Sequence, residues 1–181
     1  MNNKIFYLII IFFFFSVVVF SQKKENKFIG VKACSMCHKT EKQGKQFDIW
    51  KQAKHASAFN TLLSDKAIEI AKEKGLTSAP SETAECLSCH APVSIADANL
   101  LEKNFDIKDG VQCEICHGAG SNYKSPAIMK DKAKSIAAGL TEYADSVAVE
   151  TQCKKCHNEK SPTFKSFVFA EYWEKIKHPK P

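Results

Sequence analysis

Arginine is absent from all 181 residues, and every one of the 26 basic side chains is lysine. Nucleic-acid readers lean on the bidentate guanidinium, so the net charge of +6 is poor support for DNA or RNA binding. The same absence weakens a reading as an oxyanion reductase, which favours a guanidinium to hold and polarise its substrate. Strand signals are weak throughout. Long apolar runs are confined to the start, where Lys4 precedes an apolar stretch from Ile5 to Phe20 broken only by Ser16. That pattern, ending Val19-Phe20-Ser21, reads as a secretory signal peptide over residues 1–21. Its sixteen apolar-run residues fall short of the roughly 20 needed to span a bilayer, which argues against a retained anchor. Cleavage before Gln22 leaves 160 residues with a formal charge of +5, as one domain over 22–181. Six of the 13 phenylalanines leave with the signal.

No cysteine is spare either. Eight cysteines in an exported chain would ordinarily suggest four disulfides. Here they fall as Cys34/Cys37, Cys86/Cys89, Cys113/Cys116 and Cys153/Cys156, and a histidine follows each pair: His38, His90, His117 and His157. C-x-x-C-H is the attachment signal of c-type haem. The two thiols reach the two vinyl groups on one edge of the macrocycle, and the next residue offers its imidazole to the iron as proximal ligand. Zinc ribbons also pair C-x-x-C, but have no reason to place histidine after every pair. Redox disulfides of this spacing usually accompany a βαβ pattern, which is missing here. Four motifs out of four predict four covalently bound haem c groups.

That count shapes the fold expected. Four macrocycles in 160 residues, about one per 40, make each porphyrin a large apolar core element wrapped by polypeptide. The spacings between first cysteines are 52, 27 and 40 residues, too unequal for a repeat array. Apolar periodicity predicts helices over Phe47–Leu63, over Lys66–Lys74 capped by Ser64-Asp65 and stopped by Gly75, over Met129–Ala138 before Gly139, and over Phe167–Lys177 ended by Pro179. Thr77–Thr83, with Pro80, reads as a loop. The expectation is a mainly α, compact multihaem cytochrome with long loops, little sheet and a haem-dominated core.

Distal ligands are scarce. Only His55 and His178 lie outside the motifs. His55, five residues after Trp50 on an amphipathic stretch, is either a distal ligand to a neighbouring haem or a solvated histidine; His178, before Pro179, carries the same pair of readings. Met129 is the only internal methionine outside a motif, since Met36 lies inside the first, and it either ligates an iron or packs against a haem edge. Even with Met129 counted, three distal candidates serve four irons, and one iron keeps an open position.

Three blocks carry a family resemblance. They are Cys34-Ser-Met-Cys-His38-Lys39 followed by Trp50 and His55-Ala56; Gly110-Val111-Gln-Cys113-Glu114-Ile-Cys116-His117-Gly118-Ala-Gly120; and Cys153-Lys-Lys-Cys156-His157-Asn158 with Ser161-Pro162. Over residues 30–178 the chain resembles the tetrahaem cytochrome c-554 family of exported multihaem cytochromes. The resemblance implies a mainly helical fold with haems stacked in pairs. It further implies that His55 pairs with His117, that His178 pairs with His157, and that the second haem has His90 as its sole ligand. Where the family has a histidine about ten residues after the third motif, this chain runs Gly120 to Met129 without one. Met129 is the nearest substitute and gives His38/Met129 as first-haem pair, with Tyr123 the weaker candidate because tyrosinate ligation needs a deprotonated phenol.

The function this implies is electron transfer between redox-partner proteins in a periplasmic or otherwise exported setting. Lysines such as Lys154/Lys155 or Lys130/Lys132/Lys134 either steer an acidic partner or form a solvated face. Eight propionates and four ferric porphyrin cores would bring the oxidised holoprotein to about +1, so partner choice rests on local patches. The competing reading is a reductase of nitric oxide or another nitrogen oxide at an open haem.

Overall fold

A computed structural model describes residues 25–179. The signal-peptide reading of Met1–Ser21 lies outside them. The described chain is 54% helical, and its extended pairing is one isolated parallel bridge between Phe28 and Leu101. The mainly α architecture with long loops is therefore the one the sequence predicts.

Among the described residues ten short α-helices follow in order: α1 Val31–His38, α2 Gln46–Gln52, α3 Ala58–Thr61, α4 Asp65–Glu73, α5 Ala84–His90, α6 Cys113–His117, α7 Pro126–Met129, α8 Lys132–Ala137, α9 Ser146–Cys153 and α10 Phe169–Glu174. Single 3-10 turns, such as Lys54–Ser57 and Ile107–Asp109, join several of them. Local chemistry explains the clean ends. Ser64 Oγ accepts from Ala67 N at 3.2 Å to open α4, and Gly75, at φ +71°, closes it as expected. Asp145 caps α9 through Ala148 N at 2.8 Å. Such caps each contribute about 1 kcal/mol.

Two predicted helices are broken. Phe47–Leu63 becomes α2, a 3-10 turn and α3, with extended backbone at Ala53 (φ −77°, ψ 152°). The His55 carbonyl accepts both from Ala58 N, closing the 3-10 turn, and from Val111 N at 3.0 Å, which ties this turn to a segment far along the chain. Met129–Ala138 becomes α7 and α8, because Pro126 starts one helix and Asp131 caps the next through Lys134 N at 3.0 Å. Met129 thus ends a helix instead of beginning one. The last helix is trimmed to Phe169–Glu174.

The apolar core is small for the chain's length. Phe59 and Leu62 at the end of α3 pack on Leu87 and Ala91 of the α5 segment, with Cys86 and Ile107 against them. A second buried group, Ile29 and Val31, sits where α1 meets α6. No helix among the described residues is long and apolar enough to cross a membrane.

Candidate functional site

Each C-x-x-C-H motif lies in or at the end of a short helix, in α1, α5, α6 and at the end of α9. The helical turn places both thiols and the histidine of a motif within one and a half turns. The motifs then meet at their thiols. Cys34 lies near Cys113, Cys156 near Cys89 and Cys116 near Cys153, each pair close enough for one thiol to affect the other's ionisation. Cys156 Sγ also reaches the Ser88 carbonyl at 3.9 Å. The anchors therefore form a continuous line: first motif, third, fourth, second. Burial pushes the Cys116 thiol up to about 11 and the Cys156 thiol up to about 12.

The block from Gly110 to Glu114 knits this line together. Gly110, at φ +65°, lies so close to the His55 turn that a Cβ there would stand 2.5 Å from the His55 carbonyl oxygen. Val111 N donates to that oxygen, while the Trp50 indole donates to Val111 O at 2.8 Å. Gln112, 2% exposed, accepts from Val31 N at 2.8 Å and donates to Asp106 O at 2.9 Å. Glu114, 3% exposed, accepts from Ile29 N, Gly30 N and Gly120 N at 2.7–2.9 Å. Burial raises its carboxyl pKa, and the three amides pull against that. An acid between two motif thiols, where water is scarce, was the available signal for this role, and sequence reasoning assigned it none.

The two spare histidines each stand beside a motif histidine. His55 lies with its ring centre 6.0 Å from that of His157, at 65° between planes, and His178 lies 5.8 Å from His117, at 40°. Two imidazoles on opposite faces of one iron, each with a bond near 2 Å, have ring centres about 6 Å apart. The residues thus fit haem iron. The partners are exchanged relative to those the resemblance implies, His55/His117 and His178/His157. Two restraints account for this. The Gly110–Val111 clasp fixes His55, and at the C-terminus the Gln46 amide donates to Pro179 O at 3.2 Å while Pro179 packs on Gly44, carrying His178 toward His117. Phe167 stacks on His157 at 4.8 Å. Burial, with His178 and His38 nearby, pushes His117 down to about 4, and burial also lowers His55. Both are thereby kept as the neutral imidazole a metal requires.

The remaining candidates are placed as follows. His38 ends α1 close enough to His117 to interact electrostatically with it. His90 ends α5, with its Nδ1 2.8 Å from Ala58 O and 2.9 Å from Thr61 Oγ1. Met129 ends α7, partly buried. The Tyr123 phenol donates to His117 O at 3.1 Å and Gly118 O at 2.6 Å, and burial raises its pKa, the opposite of what tyrosinate ligation needs.

Thiol pairs followed by histidine, with a second imidazole set opposite two of those histidines, define a c-type cytochrome holding covalent haem c. Residues 33–118, from before the first motif through the third, match the family model for cytochrome c554 and c-prime. Cytochrome c-554 of Nitrosomonas europaea is 29% identical over 139 residues, covering 72% of this chain. The chain spans 57% of that relative's length. The chain is thus similar to the cytochrome c-554 family over these residues. No solved structure matches it.

Proposed function

We propose that this chain is an exported tetrahaem electron-transfer protein, working between a donor and an acceptor protein. Haem c supplies one-electron chemistry when bound. The chain's own residues do the rest. Cys34/Cys37, Cys86/Cys89, Cys113/Cys116 and Cys153/Cys156 would anchor four haem c groups, and His38, His90, His117 and His157 would serve as ligands to their irons. His55 opposite His157 and His178 opposite His117 complete two bis-histidine sites, and Met129 is the candidate opposite His38. The observation that carries the reading is the unbroken line of thiols from first motif to third, fourth and second. Because each thioether sits at a porphyrin edge, adjacent anchors bring successive edges together and favour passage of electrons along the chain. Intact mass and pyridine haemochrome absorbance of the mature protein should count four haems per chain. A count of three or fewer sinks the reading.

One observation favours a second reading. Among the described residues, ring contacts join His55 to His157 and His178 to His117, and neither His38 nor His90 has a histidine ring paired with it. An iron held by His90 alone would be open to a small neutral ligand such as nitric oxide. Electron paramagnetic resonance of the oxidised holoprotein separates the two: a high-spin signal that nitric oxide abolishes, followed by turnover, makes the chain a reductase, while four low-spin irons leave a carrier.

A further inference from the structure

The contacts at His90 set it apart from the other motif histidines. Its Nδ1 meets two oxygens, the Ala58 carbonyl at 2.8 Å and the Thr61 hydroxyl at 2.9 Å. Thr61 Oγ1 itself lies 2.7 Å from the same Ala58 carbonyl. Proton bookkeeping fixes the arrangement. A carbonyl oxygen only accepts, so Nδ1 carries the proton and Nε2 keeps a free lone pair for iron. The Thr61 hydroxyl spends its own hydrogen on Ala58 O, which leaves an oxygen lone pair facing Nδ1–H. The imidazole therefore donates one hydrogen to two acceptors at once.

Both acceptors are held firmly. They lie on α3, the four-residue helix Ala58–Thr61, whose Phe59 side chain is buried against Leu87 of α5 together with the neighbouring Leu62. The helix that carries the acceptors is thus packed on the helix that carries His90. Thr61 itself is exposed, so its hydroxyl is not needed to fill space.

We propose that Thr61 is a positioning and tuning residue for the haem attached at Cys86 and Cys89. It fixes the tautomer and ring plane of His90, and as second acceptor it draws Nδ1–H toward imidazolate character. A more basic imidazole stabilises ferric over ferrous iron and lowers the potential. The inference rests on the reading that His90 ligates this haem. His55, three residues before Ala58 and set opposite His157, shares one short segment with the acceptors of His90.

The test uses the mature holoprotein with Thr61→Val, which keeps the branched shape and drops the hydroxyl, and Thr61→Ser, which keeps the hydroxyl. Spectroelectrochemical titration should show one of four components moving to higher potential in Thr61→Val, with its ferrous-to-ferric ratio at fixed poise rising about tenfold. The iron–histidine stretch of the reduced protein should move to lower frequency, and Thr61→Ser should restore both. Identical titration of Thr61→Val and wild type overturns the inference, as does a common drift of all four components, which marks a general structural effect. If the reduced wild type shows no five-coordinate iron–histidine band, the open-iron reading fails by itself, and the single-component potential shift still decides the role of Thr61.

Discussion

Glu114 stands at the junction of the N-terminal segment, the third motif and the Gly120 turn, and its carboxylate is the shared acceptor for three buried amides. Replacing it by alanine leaves three N–H groups without a partner, each costing about 1–3 kcal/mol. Glu114→Ala should therefore lower the unfolding free energy of the holoprotein by about 3 kcal/mol or more, read in guanidinium titrations, whereas Glu114→Gln keeps one acceptor oxygen and should lose less. His117 yields a second expectation at this scale. Its folded pKa of about 4 lies below the ordinary histidine value of about 6.5. A depressed folded pKa means that the stabilising contribution is complete above about 6.5 and is lost as pH falls toward 4. Iron competes with the proton for the same imidazole and pushes the loss no higher. The unfolding free energy from guanidinium titrations should thus be flat from pH 8 to 6.5 and decline as pH falls below 6.5, and a decline on the alkaline side of neutrality would contradict the assignment. Thr61 belongs to the same scale, for a single hydroxyl there distinguishes His90 from the other motif histidines.

Among the elements, the Gly110 clasp decides where His55 stands. Gly110 combines a left-handed φ of +65° with a backbone approach that leaves no room for a methyl group, 2.5 Å from His55 O and 3.1 Å from Ala58 N. Gly110→Ala should strain the backbone by about 1–3 kcal/mol and push the His55 turn off His157. Electron paramagnetic resonance should then show one low-spin iron converted to high-spin, and a spectrum with all low-spin signals retained would refute the clasp. This is also where sequence reading stops. The attachment motifs, the cap of α4 and its glycine stop are local signals, and each was legible. The break at Ala53 was not, because the partner that also holds the His55 carbonyl, Val111, is 56 residues away and periodicity carries no trace of it. The exchange of partners between His55 and His178 was invisible for the same reason: Pro179 reaches Gln46 across 133 residues. The division of α7 from α8 was written locally, in Pro126 and the Asp131 cap, and apolar spacing alone ran across it.

Across the whole molecule, positive charge is gathered at one end of the line of motifs. Residues 31–57, from the first motif through His55, hold six lysines against two acids, a local +4, while the rest of the chain from Gln22 onward sets nineteen lysines against eighteen acids. Of the lysines singled out by sequence, Lys132 pairs with Glu142, Lys134 with Asp131 at 2.9 Å and Lys154 with Glu150 at 2.6 Å, while in the first-motif stretch Lys32 pairs with Asp106 at 3.4 Å and Lys45 with Glu41 at 2.6 Å. Around the first motif, Lys39, Lys42, Lys51 and Lys54 are all exposed. Met36 is 74% exposed beside Lys32, Lys103 and Phe105, in a groove of about 490 Å³. On α1 the side chains of Lys32 and Met36 project away from Cys34, Cys37 and His38, so a haem bound there would not cover them. An acidic redox partner should consequently meet the molecule at the first motif, with the line of anchors leading away from it. Converting Lys39, Lys42, Lys51 and Lys54 to glutamate turns the local +4 into −4. With ferricyanide as an anionic oxidant of the reduced protein, the wild-type rate should fall as salt is added, because screening weakens an attraction. The fourfold variant should react about tenfold more slowly at low salt and speed up with salt, since the encounter is now repulsive. A Lys154→Glu, Lys155→Glu control carries half that charge change away from the first motif. If it slows the reaction as much as the fourfold variant does, net charge and not this face governs the encounter.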